Sequence, residues 1–386
     1  MERLDGVVMH YAWGSTTHLA RMRGERFSTR PESELWLGAH PVASAVLPSS
    51  GGIGLLEAIE TDPDLELGAD VAAAFGGRLP YLLKLLAADS PLSVQVHPSV
   101  AEAKVGFQVE NDSGLGVDDP RRSFRDDNHK PELIVALTPF EALVGFNTPA
   151  AVLELFDAFA VEELASVRDL IDEEGVHAGL EAIVTLDRSR LASATMAIVD
   201  RLDNVAPSRH DDAELIGRIA ELFPGDPGVV VAMLLNRIVL EPGEGVYLGA
   251  GVLHAYVSGF GVEIMANCDN VVRGGLTSKH IDTETLCRIV DPDAGAPTIL
   301  RPTGSETTYR TPVPEFELTR LVAPSGWSHT PVGPEIVLGA SGTTTVSQEG
   351  VELELGPGEA AWIRSGTGDY EVTSDGDVFV ASVGAS

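Results

Sequence analysis

Two stretches of this chain, Pro242-Gly243-Glu244 through His254 and Pro357-Gly358-Glu359 through Asp369, align at a constant offset of 115 residues. Four positions are identical, and Tyr247 aligns with Trp362, an aromatic for an aromatic. Each copy reads as a Pro-Gly turn, an apolar strand and a second Gly turn. Proline presets the first turn residue, and glycine accepts the left-handed backbone that other residues resist. Unless two hairpins share their turn chemistry by chance, such a chain folds as two β units of one plan. The copies differ where they end, at His254 in the first and Asp369 in the second.

Around these copies the hydrophobic period changes twice. Residues 5–47, rich in Val, Trp and Tyr and broken by Gly and Pro, predict short strands and turns. Leu55 to Ile59 has helical spacing, and Tyr81 to Leu86 is an apolar run short enough for a buried strand. Ser93-Val94-Gln95-Val96-His97 alternates with a period of two, so Ser93, Gln95 and His97 share one strand face. Residues 150–235 change character, with Val152, Leu155 and Phe156, then Leu164, Val167 and Ile171, at helical spacing. Asp211-Asp212 opens a helix there and Phe223-Pro224-Gly225 closes one. From residue 315 to 383 the pattern is strand and turn. The expected architecture is mainly β with a helical insertion: residues 1–149 and 236–305 as one β domain, 150–235 as an all-α domain, and 306–386 as a second β domain.

Charge limits the partners. The chain carries 26 Lys and Arg against 58 Asp and Glu, a net −32 that repels nucleic-acid backbones. A small phosphorylated molecule would need cations gathered locally. No apolar run is long enough for a membrane span, and the first residues lack a signal-peptide pattern, so a soluble cytoplasmic protein is expected, with no membrane partner. Two cysteines, Cys268 and Cys287, make no disulfide framework.

Two of the ten histidines stand out. His97 shares its strand face with Gln95, and His254 follows a tight glycine turn where the backbone can approach a metal closely. Between them Lys130-Pro131-Glu132 offers a carboxylate on an extended segment, since Pro131 keeps Lys130 out of the helical region. Two imidazoles, a carboxylate and an amide oxygen suit zinc, manganese or cobalt. The residues alone leave open the other reading, satisfied core histidines. Lysine is scarce: Lys84, Lys104, Lys130 and Lys279 stand against 22 arginines. Where Arg is used almost everywhere, a retained Lys marks a need for a compact cation or a proton carrier; Lys104 reads as surface drift and the other three do not. The segment from Glu263 to Asp282 is dense in polar groups without surface-helix periodicity, and reads as a functional loop or as a long connection held by Asn and Asp turns.

The first repeat resembles the cupin motif G-x5-P-x-G-x2-H: Gly243, Gly251 and His254 fit it, and Gly249 stands at its Pro. With Tyr11-Ala12-Trp13-Gly14-Ser15, Glu34-Leu35-Trp36-Leu37-Gly38-Ala39-His40-Pro41, Pro91 to Pro98, Asn128 to Glu132 and the segment after Glu263, the chain resembles the type I mannose-6-phosphate isomerases, zinc-dependent cupin enzymes. The resemblance implies a cupin-like double jelly roll in which only the first unit carries metal. It implies one zinc ion per chain, held by Gln95, His97, Glu132 and His254, and Arg273 as the active-site arginine. Ser93, Lys84 and Lys279 take the phosphate side, and Glu263, Asp269, His129 and Lys130 are the acid/base candidates. The implied reaction is aldose-ketose isomerisation of mannose 6-phosphate through an enediol, with Glu263 or Lys130 moving the proton and His129 opening the ring, in a chain expected to be a monomer. A different metal-dependent cupin enzyme would keep the ligands but not the stretch from Arg273 to Lys279. A binding or storage cupin would give no reason for His254 in one copy and Asp369 in the other.

Overall fold

The longest strand, His254–Ala266, is rich in Val, Ile, Phe and Tyr and is buried along nearly its whole length, as β-branched and aromatic side chains favour. In the computed structural model, which describes residues 1–202 and 205–384, this strand joins two halves of an eleven-stranded sheet. Its second half lies between Tyr81–Ala88 and Glu132–Ala136. Its first half pairs with Phe140–Phe146 and, at His254, with Gln95 of Val94–Val96. The change of partners falls at a register break between Tyr256 and Ser258, followed by Gly259 at φ 131°, where a Cβ would come within 2.8 Å of the Phe140 backbone.

The helical stretch contains Pro149–Phe159, Ala165–Glu174, Val176–Val184, Arg188–Asp200, His210–Leu222 and Pro227–Ala232. Thr148, Asp187 and Asp226 accept from backbone N–H groups at three of the N-termini. These helices do not enclose a core of their own: Leu180, Ile216 and Val230 share one cluster with Val94, Val96, Leu143 and Val272 of the sheet. The helical block is thereby packed directly onto the strands that carry Gln95 and Arg273.

Strand and helix occur in mixed proportion, which corrects the expectation of a mainly β chain. Leu55–Thr61 is helical as its spacing predicts, but Pro63–Leu67, Ala69–Ala74, Val100–Asp112 and Thr283–Ile289 are helices that periodicity did not mark. Val100–Asp112 exposes Val105 and Val109, so its apolar pattern points nowhere. It is set instead by a capping box in which Ser99 and Glu102 exchange hydrogen bonds.

The two copies of the repeat correspond strand for strand and turn for turn. Gly245–Leu248 and Ala360–Ile363 are both strands, preceded by Gly243 and Gly358 at φ 89° and 84° and followed by Gly251 and Gly366 at φ 78° and 70°. The correspondence extends to the neighbours: Leu248 pairs with Glu132, and Ile363 pairs with Glu335. In the second copy Glu335 is satisfied internally, accepting from the Tyr370 hydroxyl at 2.6 Å and lying 3.0 Å from His329 Nε2.

A buried ion network ties the ends of the chain together. Glu66 accepts from Trp362 Nε1 at 2.8 Å and Arg364 Nε at 2.9 Å, and Arg364 also reaches Glu2 at 2.8 Å. Glu2–Leu4 itself pairs with Ala360–Ile363. Removing Glu66 leaves the buried Trp362 Nε1 without an acceptor and Arg364 with Glu2 alone, so Glu66→Ala should lower the unfolding free energy by about 3 kcal/mol. Urea denaturation checks this, with exposed Glu57→Ala changing it by less than about 0.5 kcal/mol.

Candidate metal centre and active-site cavity

His97 Nδ1 lies 2.8 Å from the carbonyl of Asn270, and His254 Nδ1 lies 2.9 Å from that of Val252. A carbonyl accepts only, so each Nδ1 carries the proton and each Nε2 presents a bare lone pair. Both Nε2 atoms point at Glu132, 3.4 Å from Oε1 and Oε2 respectively. All three residues are at most 2% exposed. His97 Nε2, His254 Nε2 and Glu132 Oε2 are buried atoms with no hydrogen-bond partner. Buried polar groups are normally paired, and two lone pairs facing a carboxylate are satisfied by a cation, not by each other. The three donors lie within 4.8 Å of one another, a set suited to a divalent transition metal.

Protonation states agree with this. Burial pushes the His97 imidazole down to about 4, so it is a neutral donor near pH 7. Burial alone would raise the Glu132 carboxyl, but the Lys130 ammonium, 2.7 Å away, and His97 outweigh it and hold the carboxyl well below its usual range. Gln95 is directly across from both His254 and Arg273 in the ladders, and its side chain lines the cavity beside the triad.

That cavity, about 820 Å³, is walled by Ser93, Gln95, Lys84, Lys130, Glu132, Glu263, Asp269, Arg273 and Lys279, among others. Strand register builds one wall: Glu263 lies across from Lys84, and Lys84 from Trp36. Lys84 Nζ sits 2.9 Å from Glu263 and 3.4 Å from Glu34, over the Trp36 ring. Burial would lower the Lys84 ammonium, yet the Glu263 and Glu34 carboxylates raise it. Its charge is therefore spent inside the protein, unlike that of a lysine held ready for phosphate. Burial raises the Glu263 carboxyl above its ordinary range even against Lys84.

The opposite wall is cationic. Burial lowers the proton affinity of Arg273, and Arg125 lowers it further; Lys279 is lowered by burial, then by Arg273 and Arg125. Among the described residues no carboxylate offsets either group. In a chain of net charge −32, such a grouping prepares a place for an anion.

His129 is placed elsewhere. Its Nε2 is 2.7 Å from Glu315 and it does not line the cavity, unlike the other acid/base candidates Lys130, Glu263 and Asp269. The imidazole in the cavity wall is that of His40, whose Nδ1 accepts from the Val42 N–H at 3.2 Å and whose Nε2 lies 3.4 Å from Asp269. Burial raises the Asp269 carboxyl, but His40 overrides this and leaves it below the ordinary range. Glu263 also lies on the long strand and not in a loop.

Sequence reading missed Glu34, His40, Arg125, Asp226 and Tyr256. Alternation from Trp36 points to Glu34, and from His254 to Tyr256. The same alternation places Glu263 on the wrong face, because nothing in the residues marks the break between Tyr256 and Ser258 that reverses it.

The fold and site together define a metal-centred cavity with an anion-binding wall. Residues 1–148 match the family model of the phosphomannose isomerase type I catalytic domain. The mannose-6-phosphate isomerase of Escherichia coli (strain K12) is 34% identical over 97% of this chain and 98% of its own length. Mannose-6-phosphate isomerase 1 of Arabidopsis thaliana is 33% identical over 95% and 90%. A crystal structure of a phosphomannose isomerase variant from Salmonella typhimurium has a TM-score of 0.92 at 31% identity, covering 100% of both chains. A zinc-bound mannose 6-phosphate isomerase structure matches with a TM-score of 0.92 at 31% identity, over 100% of this chain and 99% of that one. The chain belongs to the type I mannose-6-phosphate isomerase family.

Removing a ligand should empty the centre without unfolding the chain. In Glu132→Ala, bound transition metal measured by elemental analysis should fall to about a tenth of wild type or less, while the far-UV circular dichroism spectrum is retained.

Proposed function

We propose that the chain interconverts mannose 6-phosphate and fructose 6-phosphate. One observation carries this: Glu132, which joins His97 and His254 in the metal-ligand triad, lines the same cavity of about 820 Å³ as the unpaired cations Arg273 and Lys279. That size admits a sugar phosphate with its phosphate at the cations and its reacting carbons toward His97, Glu132 and His254. The zinc named for a related structure would be held by His97, Glu132 and His254 with Gln95 as the fourth donor, and would supply Lewis-acid stabilisation of oxyanion charge.

The chain's own residues divide the remaining work. Lys279 and Arg273 anchor the phosphate, with Ser93 beside them, and so hold C1 and C2 in register. Lys84 belongs with Glu263 as its ion-pair partner. Isomerisation moves a proton between C2 and C1 through an enediol. Glu263, whose carboxyl is raised by burial, is the proton carrier, since a carboxylate made more basic by burial is the better acceptor of a carbon-bound proton and can return it. Lys130 stays with Glu132. Ring opening falls to Asp269, kept ionised by His40 and placed to take the proton of the anomeric hydroxyl.

The wider reading follows the repeat. Two jelly-roll units share one plan, with domains at 1–149 plus 236–305 and at 306–386, and the helices expected as a separate domain at 150–235 form a block packed on the first of them. Equivalent register at Glu132 and Glu335 supports this. The chain acts as a cytoplasmic monomer without nucleic-acid or membrane partners; among the described residues no helix is long and apolar enough to cross a membrane.

A coupled assay with mannose 6-phosphate tests the proposal, with unphosphorylated mannose as the control substrate. Turnover of the first and little of the second is expected; none with either would leave a binding protein. Lys279→Ala should raise KM roughly tenfold or more, the value of one charge-assisted hydrogen bond, whereas Lys104→Ala on the exposed face of Val100–Asp112 should change it less than about twofold. Glu263→Gln should lower kcat by about a hundredfold or more.

A further inference from the structure

Asp226 ends the loop that leads from the helical block into Pro227–Ala232, and its carboxylate accepts three backbone N–H groups. One, from Gly228 at 2.7 Å, is an ordinary helix cap. The other two come from across the molecule: Leu276 N–H at 2.6 Å to Oδ1 and Thr277 N–H at 3.2 Å to Oδ2, separated from Asp226 by 50 and 51 positions. Around them the two backbones touch. A Cβ on Gly275 would lie 2.3 Å from Gly228 Cα, and one on Gly228 would lie 2.4 Å from Leu276 N. Leu276 is held at φ 53°, a left-handed conformation that a leucine adopts only when its surroundings impose it.

The residues that follow, Thr277, Ser278 and Lys279, line the cavity, as does Asp226 itself. A carboxylate in an anion-binding wall opposes the ligand, and a cap alone would be served by Asn or Ser. What a carboxylate adds is acceptor capacity for three donors at once.

We infer that Asp226 is a positioning residue through which the helical block fixes the segment 274–279 and so aims Lys279 at the substrate's phosphate. This rests on the isomerase reading above.

Asp226→Asn and Asp226→Ala test it. Asn keeps Oδ1 for Gly228 and Leu276 and turns an N–H toward that of Thr277; Ala removes all three bonds. The expected result is a KM for mannose 6-phosphate and an inhibition constant for inorganic phosphate that rise together. The rise should be about threefold in Asn and tenfold or more in Ala, with kcat within about threefold and metal content unchanged. A fall in kcat at constant KM, or no change in either variant, overturns the inference. If Ala does not fold, the isosteric Asn variant decides alone by the same split. If the wild type does not turn over mannose 6-phosphate, the isomerase reading fails separately. Inorganic phosphate binding followed by ³¹P line broadening, in wild type and both variants, then still decides the role of Asp226: equal affinities overturn it.

Discussion

His254 and Glu263 lie nine positions apart on the strand His254–Ala266, and a strict two-residue alternation would send their side chains to opposite faces. The register break between Tyr256 and Ser258 adds the missing step, so that Tyr256 before it and Glu263 and Met265 after it line one cavity, and His254 meets the lining residue Glu132. The same break lets the strand leave Phe140–Phe146 and take up Tyr81–Ala88 and Glu132–Ala136. One irregularity thereby brings His254, Glu263 and the neighbours of each, Gln95 and Lys84, into a single site.

Electrostatics then separates tasks within that site. The buried imidazoles of His97 and His254 and the Glu132 carboxylate leave lone pairs that no described protein group satisfies. Lys84 is neutralised between Glu34 and Glu263, and Lys130 leans on Glu132. Arg273 and Lys279 are left uncompensated, on a chain whose charge is otherwise strongly negative. Arg273 is half-buried and Lys279 exposed, and neighbouring cations repel each other until an anion arrives between them, which favours a charged substrate over its neutral parent sugar.

Much of this was legible because it is local. Alternation placed Gln95 and His97 on one face, the Pro-Gly-Glu turns marked two strands that fall at the same offset, and lysine scarcity singled out Lys84, Lys130 and Lys279, all of which line the cavity. What was not legible depends on distant partners. Whether Lys84 meets phosphate or Glu263 is decided by cross-strand register. His129 is drawn to Glu315 by a packing between segments far apart in sequence, and His40 enters the wall only because Asp269 comes to meet it. The helix Val100–Asp112 carried its signal in its cap and not in its periodicity.

The second copy of the repeat shows what the first would be without its metal role. Glu335 occupies the register position of Glu132 but is closed off by Tyr370 and His329, and Asp369 stands in place of His254. If chemistry is confined to the first unit and depends on His97, Glu132 and His254, stepwise zinc addition to chelated protein, with turnover of mannose 6-phosphate followed at each step, should show loss of activity on chelation and linear recovery that saturates at about one zinc per chain. Activity that survives complete chelation, or that needs a second equivalent, would contradict it.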